Sequence, residues 1–175
     1  MLLWLLALAV LASMAMVVIL ILGQETPPPP LPTTARADAI IIDKTAHSLT
    51  LYQEGQALRT YAVALGNGGP DAKQREGDKR TPEGRYHIDS RNPRSSYHLA
   101  LHISYPNAQD RAAAESRGEP PGSDIMIHGL RNGLGWFGTL HRRIDWTAGC
   151  IAVTNAEIEE IWRVVVDGAV VEIRH

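Results

Sequence analysis

Along residues 37–65 the apolar positions come first as a run, Ile40, Ile41 and Ile42, and then alternate with polar ones at Leu49 and Leu51. A short run and a period of two both describe extended chain with a buried side. Glu54-Gly55 supplies a turn before residues 58–65, and the stretch from Gly66 to Pro70 reads as a loop. Residues 85–89 and 98–104 predict further strands, the second with Leu99, Leu101 and Ile103 set against His98, Ala100 and His102. The pattern changes over residues 107–117, which are alanine-rich, carry charges and stop at Gly118; they predict a short surface helix. A short apolar strand returns at 124–128. Residues 129–138 hold four glycines together with Trp136 and Phe137, which predicts a flexible loop or lid. Thr154 and Glu157 have capping-box spacing, and Ile158, Ile161, Trp162 and Val165 follow at helical intervals. Asp167-Gly168 turns the chain into a last strand at 169–173. Strands dominate, with two short helices, so the expected fold is mainly β, a sandwich or curled sheet.

The ends of the chain change the picture. Residues 1–23 contain no charged side chain and are mostly Leu, Ala, Val, Ile and Met. About 20 apolar residues cross a bilayer core as a helix, whereas a secretory signal has a shorter apolar centre closed by a small-residue site. The expectation is one N-terminal transmembrane helix, an uncleaved anchor, with a cleaved signal as the alternative. Residues 24–36 follow as a Pro-rich linker, with four consecutive prolines from Pro27 and a further Pro32, a composition that favours an extended, semi-rigid spacer. Residues 37–175 are then enough for one domain with its own core. The formal net charge of −2 excludes a general nucleic-acid surface. Charges of both signs between Asp71 and Gly84 predict a solvated loop rather than an anion site.

Cys150 is the only cysteine in the chain, so it has no internal disulfide partner. It stands in Thr147-Ala148-Gly149-Cys150-Ile151, downstream of Ile127-His128-Gly129. A free thiol packs readily as a small hydrophobe. In an exported chain, flanked by glycine and with a histidine at hand, it also fits a nucleophile activated by an imidazole. Gly149 allows close backbone approach, and the N–H groups of that turn are candidates for an oxyanion hole. His141 is a rival for the base. A zinc site of His128, His141, Asp145 and Cys150 is disfavoured because no close ligand pair is present; neither metal nor cofactor is expected. Trp146 and Trp136 read equally as groove or core aromatics, and Trp162 as core.

Three motifs taken together, Thr81-Pro82-Glu83-Gly84, Ile127-His128-Gly129 and Thr147-Ala148-Gly149-Cys150-Ile151, resemble the L,D-transpeptidase catalytic-domain family of bacterial cell-wall enzymes. The resemblance spans residues 37–173 and implies a β-sandwich-like domain. It implies that Cys150 is the nucleophile and His128 the base, that the carbonyl of Gly129 orients the imidazole, and that Ala148, Gly149 and Cys150 carry the oxyanion donors. Thr147, Trp146 and His141 are candidate substrate contacts. The implied partners are peptidoglycan stem peptides, with the domain outside the cytoplasmic membrane in the cell envelope. The implied reaction is acyl transfer through a thioester, for cross-linking or protein attachment. A hydrolase using the same thioester to trim stems or release bound protein, and a non-catalytic wall-binding module, are the alternatives. Two departures stand out: Ala148 replaces the family's usual histidine and Ala152 its usual arginine or asparagine. Arg142 or Arg143 is a candidate to replace the charge missing at 152, although both read as surface residues.

Overall fold

A computed structural model describes Met14 and residues 28–175. The expected membrane helix of residues 1–23 lies, apart from Met14, outside the described residues. No helix among the described residues is long and apolar enough to cross a membrane. Two compact units divide the chain, residues 1–30 and 31–175, and the second carries the fold. Its first residues differ from the linker expectation. Leu31 and Ala35 are buried, the Leu31 N–H donates to Glu160 Oε1 at 2.7 Å, and Arg163 donates to the carbonyls of Leu31 and Pro32. Residues 31–36 are therefore docked on the domain, because Leu31 and Ala35 find apolar cover there and the prolines leave free carbonyls for Arg163.

Eight strands form one curled sheet in the order β3-β2-β1-β8-β4-β5-β6-β7. They are β1 Ala37–Asp43, β2 Ser48–Gln53, β3 Gln56–Ala62, β4 Gly84–Ser95, β5 His98–Ile103, β6 Met126–His128, β7 Ile151–Ala152 and β8 Val165–Arg174. Pairing is antiparallel except between β1 and β8 and between β6 and β7. The helices are α1 Ala108–Ser116, a 3₁₀ segment Gly135–Arg143 broken at Gly138, and α2 Asn155–Val164. The mainly β expectation holds. A third short helix stands where a glycine-rich loop was expected, since residues 134–143 take tight turns on either side of Gly138. The expected cap forms, Thr154 closing a capping box with Glu157, and a second one stands at Asn107 with Asp110.

The sheet curls until its two ends meet. Just past β3, Ala64 exchanges both backbone hydrogen bonds with Ala152 of β7, at 3.0 and 2.9 Å. The Thr147 N–H donates to Leu65 and the Asn67 N–H to Thr147. The two-residue strand β7 is thus clamped between β6 and residues 64–66, which fixes the backbone on either side of Cys150. Ile40, Ile42, Leu49, Leu51, Leu101, Ile127, Ile151, Ile158, Ile161 and Val171 are fully enclosed beneath this surface, each contributing about 1.5–3 kcal/mol of apolar burial.

Candidate active site

Ile127 pairs with Ile151 and His128 with Ala152 in the parallel β6–β7 ladder. Neighbours in register share a face and successive residues alternate. The two isoleucines enter the core, so His128 and Ala152 point to the other side; Cys150 directly precedes β7. The His128 ring is 5% exposed. Its Nδ1 lies 2.7 Å from the carbonyl oxygen of Gly129. A carbonyl only accepts, so Nδ1 carries the hydrogen and Nε2 presents its lone pair. Burial pushes the His128 pKa down, against a smaller upward pull from the Gly129 carbonyl. The imidazole is therefore neutral at pH 7.

Gly129 has to be glycine. A β-carbon there would approach Asn155 Oδ1 to 2.8 Å and Ile158 Cγ2 to 3.0 Å, so the peptide that orients His128 lies flat against the start of α2. Asn155 Oδ1 accepts the Leu130 N–H at 2.8 Å and fixes the next peptide as well.

The half-buried Cys150 thiol donates to the carbonyl of Asp124 at 3.5 Å. Burial raises its pKa; the Met126 N–H and Lys73 oppose the rise, while Asp124 adds to it. A stable thiolate is not what this environment favours. The turn before it is held from within: Thr147 Oγ1 donates to the Cys150 carbonyl at 2.7 Å and accepts the Gly149 N–H at 3.1 Å. Two expectations change accordingly. Thr147 is buried and braces the turn rather than lining a substrate groove. The Gly149 N–H, a candidate oxyanion donor, is committed to Thr147. Gly149 itself sits at φ +124°, and a β-carbon would come 2.7 Å from the Arg80 carbonyl.

That contact comes from the segment expected to be a solvated loop. It is a largely exposed loop, folded around an enclosed ion pair, Lys73–Asp78 at 2.8 Å, with side chains 4% and 9% exposed. Asp78 also accepts the N–H groups of Gln74, Arg75 and Arg80. Thr81, in the first motif, accepts the Gly66 N–H at 3.0 Å, and Glu83 pairs with the buried Lys44 at 2.7 Å. The motif is architectural: it ties residues 78–83 to the strands that carry the cysteine turn.

Aromatic rings surround the imidazole. Tyr97 lies 4.6 Å from His128 between ring centres, and Trp146 lies 5.8 Å away, edge to face. His141 is buried rather than a loop histidine in solvent. Its Nδ1 accepts the Trp146 indole N–H at 3.4 Å and its Nε2 has no partner. Burial, with Arg142 adding, lowers its pKa to about 4. Tyr97, Trp146, His141, Leu130, Phe137 and Leu140 line a cleft of about 380 Å³. Trp136, stacked on Phe137, is 75% exposed outside it. Trp162 packs against the core beneath Arg91. Asp145 is taken by His47 and by the Leu65 N–H, and no group of three His, Cys, Asp or Glu among the described residues could hold a metal. Arg142 pairs with Glu157. Ala152 is wholly buried against Ala64, so an arginine side chain has no space at that position and none takes its place there. Tyr97 was missed in the sequence: a single tyrosine at a hairpin tip carries no pattern.

Residues 37–173 match the family model described as "L,D-transpeptidase catalytic domain". The "Putative L,D-transpeptidase YafK" of Escherichia coli K12 is 35% identical over 132 residues, 72% of this chain and 46% of that protein. The crystal structure of the helical cell shape determining protein Pgp2 from Campylobacter jejuni superposes with TM-score 0.60 at 27% identity, over 81% of this chain and 49% of that one. An L,D-transpeptidase from Xylanimonas cellulosilytica shares the fold at TM-score 0.53 and 19% identity, over 84% of this chain and 65% of its own. The chain spans about half the length of YafK and Pgp2.

Proposed function

The chain belongs to the L,D-transpeptidase catalytic-domain family, and we propose that it transfers acyl groups on peptidoglycan stem peptides through a thioester on Cys150. The observation that carries the reading is the fixed tautomer of His128: with Nδ1–H held by the Gly129 carbonyl, Nε2 is left as a proton acceptor, and Cys150 directly precedes the strand that pairs with that of His128. In the reaction, Nε2 takes the thiol proton as sulfur bonds to the stem-peptide carbonyl carbon. The amides of Ala148 and Cys150 stabilise the resulting oxyanion. Collapse breaks the C–N bond, and the departing amine leaves with the proton from Nε2. An acceptor amine then attacks the thioester, gives a proton to Nε2, and the C–S bond breaks as the thiol is restored. The site places no charge between two protein groups at rest, so proton transfer runs from a neutral thiol to a neutral imidazole. Residues 1–23 serve as the anchor that keeps this domain at the outer face of the cytoplasmic membrane.

Incubation of the protein with muropeptides, with and without an added acceptor amine, tests this by mass spectrometry. A cross-linked product that depends on the amine is expected, together with a covalent carbapenem adduct on the wild-type chain and none on Cys150→Ala. Water-derived products alone would reassign the second step to hydrolysis. Unchanged turnover in Cys150→Ala would refute the nucleophile.

A further inference from the structure

One aromatic ring next to the imidazole belongs to neither motif. Tyr97 stands at the tip of the β4–β5 hairpin, and it touches the base twice. Its ring lies 4.6 Å from that of His128, tilted by 42°. Its backbone carbonyl accepts the Gly129 N–H at 3.1 Å, a bond shared with the Leu99 carbonyl at 3.2 Å. Gly129 is the peptide whose own carbonyl fixes His128 Nδ1. The hairpin tip is in turn pinned from outside. The His98 N–H donates to Asn132 Oδ1 at 3.0 Å, Asn132 Nδ2 donates to the Ser95 carbonyl at 3.1 Å, and the His98 ring meets Glu159 of α2 at 2.7 Å. Trp146 closes the other approach, 6.0 Å from Tyr97 and 5.8 Å from His128.

We propose that Tyr97 is a positioning residue for His128, its ring covering one face of the imidazole and its carbonyl holding the peptide that orients Nδ1. A ring flip would put Cδ2 in the place of Nδ1 and Cε1 in the place of Nε2, breaking the bond to Gly129 and redirecting the lone pair. The two aromatic walls block that rotation and keep water off the ring, and both effects act through His128 without touching substrate. Titratable and charged groups on the elements packed about the imidazole are Tyr97 itself, His98 and His102 on β5, His141, Arg142 and Arg143 on the 3₁₀ segment, Glu157 and Glu159 on α2, Cys150 before β7 and Asp124 before β6. Losing the cover exposes His128, so its titration midpoint rises toward the ordinary histidine value, against the lowering that burial causes in the intact site.

The catalytic half of this inference rests on the proposed acyl transfer, so the test pairs a turnover measurement with one that needs no substrate. In the full-length chain held in detergent, ¹⁵N histidine spectra report the His128 tautomer and midpoint for wild type, Tyr97→Phe and Tyr97→Leu, with His128→Ala giving the assignment. Tyr97→Phe keeps the ring face and behaves as wild type. Tyr97→Leu raises the midpoint and mixes the tautomers, and where transfer is measured its kcat falls about 100-fold with KM nearly unchanged. An unaltered tautomer and midpoint in folded Tyr97→Leu overturns the proposal, as does a Tyr97→Phe protein as impaired as Tyr97→Leu. If Tyr97→Leu does not fold, the wild-type chain decides: ring-to-ring Overhauser contacts between Tyr97 and His128 support the arrangement, and their absence overturns it. Spectra that behave as expected in a protein without transfer would sink the reaction and leave the positioning intact.

Discussion

Replacing Asp78 by asparagine removes the negative charge around which residues 73–80 fold. Burial pushes the Asp78 pKa up, but the Lys73 ammonium and the N–H groups of Gln74, Arg75 and Arg80 outweigh it, and the net value falls from 3.8 to about 2. At about 1.36 kcal/mol per pH unit, that displacement corresponds to about 2 kcal/mol of folding stability at pH 7. The sign follows from the folded carboxylate binding protons less readily than the unfolded one. The contribution is complete above about pH 5 and drains away as pH falls from 3.8 through 2, to about 0.4 kcal/mol at pH 2. Chemical denaturation of wild type and Asp78→Asn across this range measures the difference directly, and at pH 7 a thermal melt should show a loss of about 4–8 °C. A gap that persists undiminished at pH 2, or that is absent at pH 7, refutes the assignment of stability to this carboxylate. The site is involved as well, because Gly149 packs against the Arg80 carbonyl and Gly68 donates to the Lys79 carbonyl at 2.9 Å.

Gly129→Ala forces a β-carbon against Asn155 and Ile158; a cost of about 1–3 kcal/mol is expected by denaturation, along with loss of the His128 tautomer by NMR. Equal stability and an unchanged tautomer would show that α2 yields to the extra carbon. His141 titrates at about 4 in the folded chain against 6.5 ordinarily, so the unfolded chain takes up its proton first. Stability therefore declines by about 3 kcal/mol from this residue as pH falls from above 6.5 to 4. His141→Gln should flatten that part of the profile, and a slope unchanged in the variant would count against the burial.

Strand positions were readable where one face is buried. Leu49 and Leu51 alternate because β2 has one side in the core, and the capping box at Thr154 starts a helix by local bonds that sequence spacing encodes. The segment 71–84 is the largely exposed loop that its charges predict, but Lys73 and Asp78 within it were not legible as an enclosed pair, each being the other's partner while the backbone supplies the remaining donors. Within the expected loop 129–138, residues 135–138 were misread because glycine signals permission to turn, not absence of order; Gly138 breaks two 3₁₀ turns rather than releasing a loop. In the site, the motifs marked Cys150, His128 and Gly129 as candidates, and the His128 ring does meet the Gly129 carbonyl. Thr147 was legible as a position and not as a role, since only the fold reveals that its hydroxyl is spent inside the turn. Tyr97 depends on a hairpin reaching over β6, a contact with no local trace in sequence.

The directions of the two site pKa values bear on the kind of nucleophile that the proposed reaction would use. A depressed thiol beside a raised imidazole would give a standing ion pair. Here burial moves Cys150 up and His128 down, and the group that orients the imidazole is a neutral carbonyl rather than a carboxylate. A carboxylate would favour the imidazolium and hold the proton on the ring. The Gly129 carbonyl fixes direction while adding less basicity, so Nε2 can return the proton to a departing amine. The resting thiol, bonded to the Asp124 carbonyl, is also a poorer target for adventitious electrophiles than a thiolate would be. Activation then has to coincide with a substrate carbonyl reaching the sulfur, and that is the step for which the imidazole's fixed tautomer and enclosed face matter most.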